Sequence, residues 1–176
     1  MRVTNQILKS KNNFKMSTIS DQTEKLALSK TVVSGSTLLN RDGLINSDHW
    51  ETPEWLYKKL NDEFNFDYDP CPFNAKFDGL KTEWGKSNFV NPPYNRFDKP
   101  KFIQKAYEEW KKGKTVVLLI PSATGTKQFH DLILPNAEVR FLKGRVAFKG
   151  INTKGEYSTT NKGKHDSMIC IFRGRE

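Results

Sequence analysis

Apolar positions change their period several times along this chain, and each change marks an element. Leu56, Leu60 and Phe64 recur at helical spacing with Trp55 and Lys59 beside them, which predicts an amphipathic helix. Thr52-Pro53-Glu54 supplies its start: a hydroxyl N-cap, a proline at the first helical position and an acid at the positive end. Residues 64–68 alternate as a short strand that Asp69-Pro70 ends, and Phe89-Val90 form a second short buried strand. Phe102, Ile103, Ala106 and Trp110 share one face of a helix over 102–110, with Gly113 at its end. Residues 116–120 are continuously apolar, the pattern of a strand buried on both faces of a parallel sheet. A helix over 127–134 follows, then two strand-like pieces, 138–142 and 145–149, around Lys143-Gly144. The last strand, 167–172, alternates Met168, Cys170 and Phe172 with Ile169 and Ile171, so both its faces are buried.

Strands and helices in turn predict an α/β fold, a mostly parallel twisted sheet flanked by helices. Two stretches stand outside it. Residues 1–45 are largely polar, and 1–20 are rich in Asn, Ser, Thr and Lys with scattered apolars. They read as a disordered or loosely packed arm, with one short helix over 20–29. Residues 150–164 are Gly-, Lys-, Thr- and Asn-rich and read as a mobile basic hairpin loop. The folded domain is placed at 46–176.

Composition narrows the function. The 176 residues, 36% hydrophobic and 28% charged, suit one globular domain. Cys71 and Cys170 lie in no metal-type spacing and the three histidines do not cluster, so no metal is expected, and reduced thiols suit a cytoplasmic setting. The longest apolar run is too short to cross a membrane, and the basic N-terminus lacks the apolar core of a secretory signal. The formal charge of +9 is uneven: residues 140–176 hold nine Lys and Arg against three acids, whereas 41–139 hold fourteen against fifteen. Basic ends around a near-neutral centre suit a polyanionic partner lying outside a small-molecule site.

The candidate chemistry sits at Asn91-Pro92-Pro93-Tyr94. Two successive prolines fit neither a helix nor a central strand, and they stiffen the turn after Phe89-Val90. The turn offers an amide oxygen, carbonyls and an aromatic ring. These suit a planar amine such as N6 of adenine, whose lone pair is delocalised into its ring. The Asn91 oxygen and the Pro92 carbonyl would take the two N–H hydrogens, drawing the nitrogen towards tetrahedral geometry and freeing its lone pair. Tyr94 would stack on the base, with Phe89 as a second wall of the pocket.

With its neighbours the turn makes a larger pattern: D-H-W-E-T-P (48–53), F-D-Y-D-P-C (66–71), F-N-A-K (73–76), Gly79-Leu80 then Trp84, F-V-N-P-P-Y (89–94), V-V-L-L-I-P (116–121) and R-F-L-K-G-R-V-A-F (140–148). In order and spacing this resembles the phage-type DNA N6-adenine methyltransferases, the Dam-like family. The resemblance implies a Rossmann-like, S-adenosylmethionine-dependent methyltransferase fold and methyl transfer to adenine in double-stranded DNA. It also implies a phage or prophage origin, with the methyl mark protecting DNA from restriction. Catalysis would fall to Asn91, Pro92, Pro93 and Tyr94. Thr52 and Pro53 would lie against the methionine end of the cofactor, where a helix N-terminus receives a carboxylate.

Asp67 and Asp69 share a face at the carboxyl end of the 64–68 strand, where α/β sheets place ligands. Either takes the cofactor's ammonium or ribose hydroxyls, or caps the strand–loop junction. The Gly-x-Gly loop usual after a methyltransferase's first strand is missing; the stretch after Pro70 has one glycine, Gly79, leaving side chains such as Asn74 to hold the cofactor. Lys127 either meets substrate phosphate or caps its helix, and Arg145, Lys154, Lys162 and Lys164 are the remaining candidates for DNA contact. Pro70-Cys71 superficially matches the nucleophile of C5-cytosine methyltransferases, but the Glu-Asn-Val-like stretch that chemistry needs is absent. RNA adenine, a protein glutamine amide, or nucleic-acid binding without catalysis are the alternatives.

Overall fold

The computed structural model describes residues 50–73, 75–151 and 157–175. The expected arm over 1–45 and its helix, Asn74 and Lys154 lie outside the described residues. The elements run β1 (Trp50–Glu51), α1 (Glu54–Phe64), β2 (Ser87–Val90), α2 (Asp98–Lys111), β3 (Thr115–Pro121), a π-helical turn (Phe129–Ile133), β4 (Glu138–Phe141), β5 (Ala147–Ile151), β6 (Tyr157–Lys162) and β7 (Ser167–Phe172).

The main sheet has four strands in the order β2-β3-β7-β4. β3 and β7, the two continuously apolar runs, take the centre, and all six residues of β7 are buried. β2 pairs with β3 in parallel, Phe89 opposite Val117, whereas β7 runs antiparallel to both β3 and β4. The expectation of a mostly parallel sheet is therefore corrected: the fold is α/β with a mixed sheet. An apolar run buried on both faces reads the same in either direction, so the pattern fixed burial and not polarity. β7 is reached from the β5–β6 hairpin, which leaves from the end of the sheet where β3 and β4 finish, and it must run back between them.

Each face of this sheet carries one helix. Val90, Val116, Leu118, Ile120, Met168 and Cys170 meet Phe102, Ile103 and Ala106 of α2. Phe89, Val117, Leu119, Ile169 and Ile171 meet Leu56 and Leu60 of α1. Burying one such side chain contributes about 1.5–3 kcal/mol. The second sheet, β1-β5-β6, is antiparallel throughout. Its Phe148, with Val146 just before β5, packs into the α1-side cluster.

Four local expectations change. Residues 64–68 form no strand: Asn65 takes a left-handed φ of 47° to end α1, and only Tyr68 pairs with β2, through a single bridge to Asn88. α2 begins at Asp98 rather than 102. Asn95 Oδ1 accepts from the Phe97 and Asp98 amides at 2.9 and 2.8 Å, and Pro100 is tolerated because a first turn has no amide partners to lose. The 127–134 helix is largely a π-helical turn, in which the Leu134 amide donates to the Phe129 carbonyl. Part of the expected 150–164 loop is a strand: β6 pairs with β5, Gly150 opposite Ser158. Its Thr159 and Thr160 are exposed, and β-branched polar residues suit such a strand.

Candidate active site

Asn91 follows β2 directly, so it stands at the carboxyl end of that strand. The end of parallel β3 and of β4 and the start of antiparallel β7 lie at the same edge. Two hydrogen bonds tie them there: Ser122 amide to Asp166 carbonyl, 2.9 Å, and Leu142 amide to Ser167 carbonyl, 3.0 Å. The second sheet reaches this edge through β1 and Phe148.

Asn91 is buried, 9% exposed. Its Nδ2 donates to the Trp50 carbonyl at 3.0 Å and to Thr52 Oγ1 at 3.1 Å. A carbonyl can only accept, so the amide nitrogen must face Trp50 and Oδ1 must point the other way. Oδ1 accepts no hydrogen bond from a described residue, and neither does the Pro92 carbonyl. Adjacent residues of one stiff turn thus carry two acceptors, with Pro92 itself buried and Pro93 half-buried.

Tyr94 is half-buried. Its hydroxyl donates to the Leu119 carbonyl at 3.2 Å, and its ring meets Phe148 edge-on, centroids 5.9 Å apart. Burial pushes the hydroxyl pKa well above its usual value, so it stays a neutral donor. Phe89, expected as a pocket wall, is instead core: it is 1% exposed and packs against Tyr57 and Phe66. It points to the α1 face because Val90, next to it, points to the other.

Thr52 is not the helix cap. Pro53 takes that position with ψ 137°, no side chain caps the helix, and the Thr52 hydroxyl is turned to Asn91. Pro53 is buried. Asp67 takes the structural place that the sequence left open for it: its two oxygens accept from the Lys86 and Ser87 amides at 3.0 Å each and hold the start of β2.

Asp69 differs. One oxygen accepts from the Cys71 amide at 2.7 Å, yet burial outweighs that bond and raises its pKa to about 6. Its charge in turn adds to the burial that raises the Tyr57 hydroxyl of α1. Pro70 is buried, and its carbonyl lies so close to Gly79 that a Cβ there would sit 1.9 Å away. The lone glycine of this stretch serves that approach. The Cys71 thiol is pushed far up by burial, with Asp69 and Asp78 adding to the shift. A thiol held protonated in this way is a poor nucleophile, which speaks against the cytosine-type reading.

Of the basic candidates, Lys127, Arg145, Lys162 and Lys164 are all exposed. Arg145 faces Asp166 at 3.8 Å; Lys164 lies two residues before it on the approach to β7. The structure brings Asn91, Pro92, Tyr94 and Thr52 together and places Lys127, Arg145 and Lys164 on segments of the same edge. Lys162 stands at the end of β6, opposite Ala147.

Sequence reasoning missed the Trp50 carbonyl and Phe148. A main-chain acceptor leaves no signature in a sequence, and Phe148 read only as a strand residue. It also missed Asn95, whose Asn-x-x-Asp spacing to Asp98 is a helix-start signal that Pro100 masked. No group of three His, Cys, Asp or Glu among the described residues could hold a metal, and none of the described helices is long and apolar enough to cross a membrane.

A mixed α/β sheet with an Asn-Pro-Pro-Tyr turn at the carboxyl end of its edge strand β2 defines the class of fold. Within that class the chain belongs to a particular family: residues 42–176 match the model of DNA N-6-adenine-methyltransferase (Dam). No curated protein and no solved structure matches it.

Proposed function

We propose that this protein transfers a methyl group from S-adenosylmethionine to N6 of adenine in double-stranded DNA, on a Rossmann-like variant of the α/β fold. The observation that carries the reading is the pair of acceptors, Asn91 Oδ1 and the Pro92 carbonyl, that take no hydrogen bond from a described residue, on one rigid turn. An exocyclic amine offers two N–H donors to that pair. Bonds that strengthen as the nitrogen becomes tetrahedral stabilise the transition state more than the ground state. The half-buried Tyr94 ring, held at its hydroxyl and by Phe148, limits the plane in which a base can lie. A base paired inside a duplex cannot reach the turn, so the adenine must be rotated out at a cost of a few kcal/mol.

The cofactor's contribution is an electrophilic methyl on a positively charged sulfur. The chain's residues fit such a ligand. Asp69 is a desolvated carboxylate that gains from a cation or hydroxyls, and the first turn of α1, which no side chain caps, suits a carboxylate. The exposed Lys127, Arg145, Lys162 and Lys164 supply the phosphate contacts, which position a duplex without reading its bases. Asn74 and Lys154 remain candidates for cofactor and DNA. The test is to incubate the protein with methyl-labelled S-adenosylmethionine and, separately, DNA, RNA and a protein extract. Label in DNA, recovered as N6-methyladenine, supports the reading. Label confined to RNA or to protein glutamine would replace it with one of the alternatives.

A further inference from the structure

We propose that Thr52 is a positioning residue for Asn91: together with the Trp50 carbonyl it takes up the side-chain amide's donors and aims Oδ1 at the substrate amine. This rests on the adenine reading above. An asparagine amide has two orientations of almost equal shape, related by a half-turn about its last bond. Only one of them presents an acceptor to an incoming amine; the other sets N–H groups against N–H groups. A bare turn would populate both. Here Nδ2 has an acceptor at 3.0 Å in Trp50 and another at 3.1 Å in Thr52. The half-turned amide would put oxygen against the Trp50 carbonyl oxygen instead.

The Thr52 oxygen is itself held from both sides. Behind it, Trp50 and Glu51 pair with Gly150 and Lys149 of β5, and Tyr157 of β6 donates to Glu51 at 3.4 Å. Ahead of it, Pro53 fixes φ at −57° and leads into α1. The hydroxyl caps no helix amide, so the expected capping role does not compete. β1, a strand of two residues, and the threonine that follows it thus place a carbonyl and a hydroxyl on one amide group.

The test uses Thr52→Val, which keeps the side chain's shape and removes the acceptor, and Thr52→Ser, which restores the acceptor. Single-turnover methyl transfer is measured on an adenine-containing duplex with cofactor and DNA saturating, and both dissociation constants are measured separately. Thr52→Val is expected to slow the chemical step about tenfold or more while both dissociation constants move less than about twofold, and Thr52→Ser to recover most of the rate. A loss of cofactor affinity that accounts for the loss of rate would overturn the proposal and make Thr52 a cofactor ligand. An unchanged rate in Thr52→Val would overturn it too.

A second measurement needs no activity. The Asn91 side-chain ¹⁵N–¹H₂ signals, assigned by their disappearance in Asn91→Ala, should exchange slowly with solvent in the wild type and faster in Thr52→Val. Identical exchange in both overturns the clamp whether or not the protein methylates DNA. A wild type with protected signals and no methyl transfer would instead defeat the adenine reading and leave the clamp standing.

Discussion

The side-chain amide of Asn91 donates to the main-chain carbonyl of Trp50 across 3.0 Å, joining residues 41 apart in sequence. The bond links the two sheets: Trp50 belongs to the antiparallel sheet and Asn91 follows an edge strand of the main one. Phe148 of the antiparallel sheet meets Tyr94 at the other end of the turn. The Asn91 turn is therefore gripped at both ends by the sheet that also carries Lys162, and movement of that sheet should be felt by the turn.

Tyr94 separates packing from chemistry. Tyr94→Phe keeps the ring against Phe148 and loses only the bond to Leu119, a change of about 0.5–1.5 kcal/mol in stability. It should keep most of the turnover. Tyr94→Ala removes the ring and should lose more than about tenfold, since base–aromatic stacking is worth roughly 1–3 kcal/mol. Turnover is compared at a temperature well below both melting points. If Phe fails as badly as Ala, the hydroxyl acts in the chemistry and the stacking role is wrong.

Asp69 should trade stability for ligand binding. Its folded pKa, about 6, lies above the 3.8 of the unfolded chain. The group's favourable contribution is thus fully present below pH 3.8 and is lost as pH rises through 6. Above that, the ionised carboxylate costs the ligand-free protein on the order of 3 kcal/mol. Asp69→Asn keeps the acceptor for the Cys71 amide and removes the charge. It should raise the melting temperature at pH 7.5 and weaken S-adenosylmethionine binding in calorimetry. Wild-type affinity should also fall on acidification below pH 6, by up to about tenfold per unit if one proton is linked. Affinity flat from pH 7 to 5 would move the cofactor's cationic end away from Asp69.

DNA binding should depend steeply on salt. Each phosphate neutralised contributes about −0.9 to the slope of log K against log salt. Replacing Lys162 and Lys164 together with alanine should flatten the slope by up to about two units, and weaken cognate and random duplexes alike. Arg145 should contribute less than a free cation, because Asp166 already stands 3.8 Å from it. Fluorescence anisotropy of a labelled duplex at several salt concentrations reads this. An unchanged slope would send the DNA face towards Lys127.

What the sequence made legible was local. Residues 116–120 and 167–172 announced two buried strands by composition alone, and the Asn91 turn announced its acceptors. Strand direction was not legible, because Val117 facing Ile171 looks the same in a parallel or an antiparallel sheet. Faces were misjudged where an element was misjudged. Asp67 was read as a ligand or a cap at the end of a strand, whereas only Tyr68 pairs and Asp67 turns its carboxylate back to Lys86 and Ser87. Thr52 was read as a cap because Thr-Pro-Glu is a helix start, and nothing local could reveal an amide brought to it by β2 from 39 residues away.

The most direct test of the account is methyl transfer by wild type and Asn91→Ala on one adenine-containing duplex, with the product digested to nucleosides. Wild type should place the label in N6-methyldeoxyadenosine. Asn91→Ala should lose about 10²-fold or more of that rate, with S-adenosylmethionine affinity nearly unchanged. A mutant keeping more than about a tenth of the wild-type rate, against a usual loss of ~10² for such a group, would contradict the claim that the Asn91 oxygen accepts from the reacting amine.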